Sequence, residues 1–171
     1  MEEIDLSYIA GLFDGEGCIH IRANTTNAQK IPRYSLLIQI TNSDRRVLEW
    51  IQEQVGFGQI GKGGKTRNLQ VYVWRAYSKQ AREVLLSILP FMRIKKEQAG
   101  LAINLQEEIT SSGFTNRGIP KDVLIGRELQ RQQVSDFNGG HRRVKNLIPV
   151  IEQRYKEFAE EGNKYRRNLR Q

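Results

Sequence analysis

Cysteine is nearly absent. Cys18 stands alone in 171 residues, which excludes an intrachain disulfide and any zinc site built on paired thiolates. That usage fits a reducing, intracellular setting, either the cytoplasm of a prokaryote or an organelle matrix. Histidine is almost as scarce. His20 and His141 lie far apart in the chain, so a histidine-cluster hydrolase lacks its ligand set and a catalytic metal would have to rest on carboxylates. No stretch approaches the roughly 20 apolar residues of a membrane-spanning helix. The opening MEEIDLS has neither a basic n-region nor an Arg/Ser-rich leader pattern, so no targeting peptide is expected in it.

Positive charge, by contrast, is plentiful. Lysine and arginine number 27 against 19 acidic residues, giving +8 and a pI near 9.8, which favours a polyanionic partner and nucleic acid before any other. The basic residues are dispersed rather than gathered on one amphipathic helix, which argues against a membrane surface. The length suits one well-cored domain.

Hydrophobic periodicity gives the order helix, hairpin, helix, hairpin, helix, helix, then a less regular tail. The first helix is expected to open after Asp5 and run through YIAGLF. From Gly17 to Asn24 the chain alternates, with Ile19, Ile21 and Ala23 on one face and Cys18, His20, Arg22 and Asn24 on the other. From Arg33 to Thr41 it alternates again, Leu36, Ile38 and Ile40 against Arg33, Ser35, Leu37 and Gln39. Ser43-Asp44 offers an N-cap to a helix carrying Val47, Leu48, Ile51 and Val55, closed by Gly56. The second hairpin is read with Phe57 to Gly61 as one arm, KGGKTRN as the turn and Leu69 to Ala76 as the other arm. In that reading Leu69, Val71 and Val73 point inward and Gln70, Tyr72 and Trp74 outward. Ser78 is expected to cap a helix through Leu89, ended by Pro90, and a further helix to run from about Lys95 to Ile109. After Thr110 the chain is glycine-punctuated until Arg142, and VKNLIPVIEQRYKEFAEE reads as a last helix despite Pro149.

Four antiparallel strands with one apolar face need helices over that face, an α+β arrangement whose other face is polar and open. That open face is expected to carry His20, Arg22, Asn24, Arg33, Ser35, Leu37, Gln39, Gln70, Tyr72 and Trp74, side chains able to read base edges. A solvated sheet face is the plain alternative, but aromatics and Leu37 among arginines are a costly mixture to leave in water.

YIAGLFDGEG, residues 8 to 17, is the most informative segment. On a helical wheel Leu6, Ile9 and Phe13 share one face and Tyr8, Gly11, Leu12 and Gly15 another. Each glycine costs about 1 kcal/mol relative to alanine inside a helix, a cost that close packing against another helix would offset. Asp14 and Glu16 fall at the C-terminal end, where the macrodipole disfavours negative charge and a cation is wanted. If an identical helix packs there about a two-fold axis, the two Glu16 carboxylates approach one another and call for a bound cation or a raised pKa. Ligation by oxygen alone suits magnesium, manganese or calcium.

YIAGLFDGEG resembles the LAGLIDADG motif of homing endonucleases, with Glu16 at the family's last acidic position. LPFMRIKKEQA, residues 89 to 99, resembles the segment that carries a basic residue near the scissile phosphate, which Lys95 matches. QITNSDRR, residues 39 to 46, resembles the end of the second strand, matching a water-organising polar residue to Asn42 and an arginine to Arg45 or Arg46. One copy of the motif implies a homodimer joined through Tyr8, Gly11, Leu12 and Gly15. The resemblance implies a metal-dependent double-strand DNA endonuclease that leaves short 3′ overhangs. Glu16 and the Gly15 carbonyl would hold Mg2+, Mn2+ could replace it, and Ca2+ would support binding without cleavage. Lys95, Asn42 and Arg45 would complete the catalytic set, and Asp14 would be structural. A strand of about eight residues spans roughly 26 Å, near eight base pairs, so two half-sites imply a near-palindrome of about 16 to 22 base pairs. Lys62, Lys65 and Arg67 in the turn and Arg142, Arg143 and Lys145 in the tail are phosphate-contact candidates. The endonuclease core is taken as residues 1–110 and a C-terminal extension, packing on it and able to reach DNA, as 111–171. The alternative reading is a binding module of the same fold, either an intron RNA maturase or a DNA-binding protein that does not cleave.

Overall fold

The computed structural model describes residues 1–25, 31–66, 69–112, 119–139 and 144–168, of which 65–66 and 162–168 by their backbone only. α1 spans Glu3–Glu16 and so opens two residues before Asp5. The Glu2 N–H donates to Asp5 at 3.3 Å, which uses Asp5 as a first-turn acceptor rather than as the cap. Ile9, Ala10 and Phe13 are fully buried on its inner face. β1 (Gly17–Asn24) leaves the helix with no connecting loop. A Cβ on Gly17 would lie 2.4 Å from the Phe13 carbonyl and 2.6 Å from its ring, so only glycine lets the strand depart so tightly.

β2 (Arg33–Asn42) pairs antiparallel with β1, Ile19 opposite Ile38 and Ile21 opposite Leu36. Asp44 caps α2 (Arg45–Val55), and Gly56 ends it in the left-handed region at φ 77°. β3 (Gln59–Thr66) and β4 (Leu69–Tyr77) complete a four-stranded antiparallel sheet in the order β1-β2-β4-β3. Lys62 to Thr66, expected in a turn, are strand residues with a bulge between Lys62 and Lys65. α3 (Ser78–Ile88) follows β4 directly, with Tyr77 rather than Ser78 in the cap position and Ser78 at φ 47°. A 3-10 turn at Leu89–Phe91 contains Pro90, and α4 (Lys96–Ser111) begins after Lys95.

Between Thr110 and Arg142, where no regular element was expected, lies α5 (Lys121–Asp136). Its inner face is polar: Arg127, Glu128 and Arg131 are buried together with Leu124 and Val134, so the hydrophobic pattern that marks a helix is missing. α6 begins at Ile148, with Val144 to Leu147 outside it, and Pro149 is tolerated as its second residue. The helices lie on one side of the sheet: α1, α3 and α4 meet β2, α2 meets β3 and β4, and α5 meets β1. The resulting α+β core includes Leu124 and Val134 of α5 and Ile151 of α6.

Candidate active site and nucleic-acid face

On β4 the side chains that face the helices are those of the opposite parity to the one read from the sequence, although Val73, read as inward, is also buried at 5% exposed. Trp74 is 0% exposed and donates from Nε1 to the Phe57 carbonyl at 3.2 Å, while Leu69 is 62% exposed. The ladder decides this: Trp74 stands opposite Ile40 and Ile60, and Ala76 opposite Ile38. A Cβ on Gly58, at φ 101°, would lie 2.2 Å from the indole nitrogen, so the backbone passes directly against Trp74. By alternation Tyr72 and Gln70 share the helix side, and Gln70 turns its amide to the Gly63 and Val71 carbonyls. Trp74, Tyr72 and Gln70 are therefore not part of the open face.

Arg75 and Tyr77 take their place. Arg75 pairs with Gln39 of β2 on one side and Gln59 of β3 on the other, a Gln-Arg-Gln row across the middle of the sheet. Its guanidinium extends over Gly61, where a Cβ would sit 3.5 Å from it. Arg22 lies 5.8 Å above the Tyr77 ring. His20 opposite Leu37, Arg22 opposite Ser35 and Asn24 opposite Arg33 occupy the same open face. Burial holds the His20 pKa below its usual value, so the ring is neutral at pH 7. The sequence did hold a signal for Arg75: it shares parity with Val71 and Val73, and a buried set containing an unpaired arginine is the poorer choice.

At the sheet margin, α1 brings Gly15 and Glu16 to its C-terminus, both exposed. Lys95 reaches the same place, its Nζ donating to the Asp14 main-chain carbonyl. That is the cation the helix end requires. Asp14 itself is 7% exposed. Its Oδ2 accepts from the Arg93 and Ile94 N–H groups at 2.6 and 3.1 Å, and Oδ1 from the Lys95 N–H at 3.0 Å. Burial alone would raise its carboxyl, but these donors and the Lys95 charge hold it below the usual range.

Gly17 pairs with Ile40, so Glu16 enters the sheet beside the stretch of β2 that ends in Asn42. Asn42 Oδ1 accepts from the Asp44 N–H at 2.8 Å. Arg45 pairs with Glu49 at 2.8 Å and lies 5.7 Å over the Tyr72 ring, and Arg46 pairs with its own helix cap Asp44. Gly15, Glu16 and Lys95 are thus drawn together, Asn42 ends the neighbouring strand, and Arg45 sits at the start of α2. Lys62 is exposed on β3, and Lys145 is exposed just before α6. Arg67, Arg142 and Arg143 lie outside the described residues, as does the Lys65 side chain. Tyr8 is 55% exposed and edge-on to Trp50 at 5.4 Å, Leu12 is partly buried, and Gly11 is exposed.

The family model for LAGLIDADG endonucleases matches residues 9–105, more than half of the chain and all of the sheet. The chain belongs to the LAGLIDADG endonuclease family. It is 26% identical over 110 residues to the DNA endonuclease I-CreI of Chlamydomonas reinhardtii, a match spanning 63% of this chain and 65% of that protein, just under two thirds of its length. Its fold is that of the homing endonuclease I-CvuI, solved with an I-CreI target in the presence of magnesium with the DNA not cleaved. That similarity has a TM-score of 0.74 and 17% identity, and it covers 92% of this chain and 96% of that one. The archaeal intron-encoded homing endonuclease I-Vdi141I, solved with DNA, gives a TM-score of 0.75 at 20% identity over 90% and 98% of the two chains. The LAGLIDADG architecture accounts for the open, helix-backed sheet and for the motif helix that ends at its margin.

Proposed function

We propose that this LAGLIDADG chain is a site-specific, metal-dependent DNA endonuclease. It acts as a homodimer on a long near-palindromic duplex and cuts each strand once to leave short 3′ overhangs. One observation carries the reading: a helix end presents Glu16 together with the Lys95 ammonium, at the margin of an open sheet face lined by arginine, glutamine and asparagine.

The donors present suit a hard divalent ion. Glu16 is exposed and has no ion-pair or hydrogen-bond partner among the described residues, and the Gly15 carbonyl lies beside it in the last turn. Within one chain, no group of three His, Cys, Asp or Glu side chains forms among the described residues. The remaining donors would come from the same carboxylate of a second copy, phosphate oxygens and water, all of them oxygen donors that would fit Mg2+, Mn2+ or Ca2+. Bound there, Mg2+ supplies Lewis acidity and an activated water. The Lys95 ammonium offers its charge to the phosphate as negative charge develops. The Asn42 amide and Arg45 order the attacking water, and Arg75, Gln39, Gln59, Arg22, Asn24 and Arg33 meet the groove.

Self-association through α1 is supported by Gly11 and Gly15. A Cβ at either position would meet nothing within 4 Å, so packing within one chain gives no reason for glycine there. The test is selection of cleaved sequences from a randomised duplex library in magnesium, run with the native chain and with Glu16→Gln. Recovery of a long pseudopalindrome, lost in the variant while binding in calcium persists, is the expected result. Tight binding of duplex DNA or intron RNA, with no cleavage in any divalent metal, would instead favour a maturase or a non-cleaving DNA-binding protein.

A further inference from the structure

We propose that Asp14 is a positioning residue for cleavage, holding Lys95 at both ends and thereby setting its ammonium at the C-terminus of α1. The proposal rests on the endonuclease reading above for its catalytic consequence, though not for its geometry. A carboxylate buried near a helix C-terminus is in an unfavourable place on two counts, since burial strips its hydration and the helix dipole opposes its charge. Asp14 is 7% exposed in that setting, so its contacts must supply the compensation.

Those contacts converge on one segment. The carboxylate accepts from the N–H groups of Arg93, Ile94 and Lys95. An ordinary helix cap would serve the first turn of α4, but α4 begins at Lys96 and Lys95 is its cap residue. Two of the three donors therefore lie in the connection before the helix, and the carboxylate fixes the backbone path that delivers Lys95. The side chain of that lysine then returns to Asp14, its Nζ donating to the main-chain carbonyl. α1 leaves that carbonyl without an internal partner, because the helix ends at Glu16.

The neighbours of Lys95 behave differently. Ile94 is 75% exposed and Lys96 is exposed, while Lys95 between them is partly buried. A lysine is a point charge on a flexible four-carbon stem. Tethering it at the main chain and at the ammonium removes most of the search it would otherwise make for the reacting phosphate. Asp14 touches no reacting atom and works entirely through Lys95.

The test has two readouts. In the first, lysines are reductively dimethylated with 13C, which keeps the charge and one N–H, and the Lys95 signal is assigned with Lys95→Arg. A Lys95 signal set apart from those of exposed lysines is expected in the native chain, moving to join them in Asp14→Asn with the other lysine signals unchanged. An unmoved Lys95 signal overturns the proposal. In the second, single-turnover cleavage is measured in magnesium on the duplex recovered by selection. Asp14→Asn is expected to slow cleavage by about 10- to 100-fold while its affinity for that duplex in calcium stays within about twofold. Adding Lys95→Ala to Asp14→Asn should slow it no further than Lys95→Ala does alone, whereas losses that multiply would show independent action. If Asp14→Asn does not fold, Asp14→Ser, which keeps a single acceptor, takes its place in both readouts. A native chain that cuts nothing refutes the endonuclease reading, and the lysine signal then decides the positioning by itself.

Discussion

Trp74 and Arg75 are sequence neighbours on β4 with opposite duties, and exchanging each in turn separates stability from recognition. Trp74 is 0% exposed, packs against Gly58 and donates to the Phe57 carbonyl. Full truncation of a buried tryptophan costs about 3–5 kcal/mol. Trp74→Phe keeps one six-membered ring and so about half of that burial, but it strands the Phe57 carbonyl, a further loss of about 1 kcal/mol. The sum is about 2.5–3.5 kcal/mol. In a chain of this size each kcal/mol moves Tm by about 2–4 °C, so a fall of about 5–14 °C is expected by circular dichroism. Binding to the selected duplex in calcium, measured well below Tm, should be unchanged. Arg75→Ala should do the opposite. Its Tm should fall by less than that of Trp74→Phe, as Arg75 is half-buried but lies outside the apolar core, while duplex affinity drops by about 1–3 kcal/mol, close to tenfold or a hundredfold. If Trp74→Phe leaves Tm in place and abolishes binding, Trp74 belongs to the nucleic-acid face and the assignment of β4 is wrong.

Gly11→Val tests the self-association face: the added side chain meets open space within one chain, so the monomer should fold, while sedimentation should shift from dimer to monomer. Glu128 tests the polar side of α5. It is 0% exposed, pairs with Arg131 at 2.7 Å, accepts from Tyr34 at 3.0 Å and takes the Leu147 N–H at 3.0 Å. Glu128→Ala leaves the Arg131 charge uncompensated and should cost about 3–5 kcal/mol in chemical denaturation. Burial pushes the Glu128 carboxyl up, but the hydrogen bonds from Arg131, Gln132 and Leu147 outweigh it and hold the pKa below its ordinary value. A depressed folded pKa gives stability that is complete above the ordinary carboxylate range and lost as pH falls through the folded value. Tm should therefore drop as pH falls below the ordinary carboxylate range, and the drop should be smaller in Glu128→Gln.

Where a decisive interaction is local, the amino-acid order was enough. The end of α1 at Glu16, the alternation that sends His20, Arg22, Asn24, Arg33, Ser35, Leu37 and Gln39 to one face, and the Asp44 cap of α2 each depend on residues a few positions apart. So does the placing of Glu16 beside a new strand, because Gly17 has no room for a side chain against Phe13. The tertiary structure decided the rest. β4 carries valines on one parity and aromatics on the other, either of which could be buried, and its face was chosen by pairing with Ile38, Ile40 and Ile60. α5 hides a charged face that becomes favourable only when Tyr34 and the backbone of Lys145 and Leu147 close around Glu128 and Arg131. Asp14 reads as an ill-placed acid until Arg93, Ile94 and Lys95, some 80 residues later, bring it their N–H groups. Residue order records which faces are apolar; only folding brings together the distant donors and acceptors that make a buried charge stable and place a lysine where it can act.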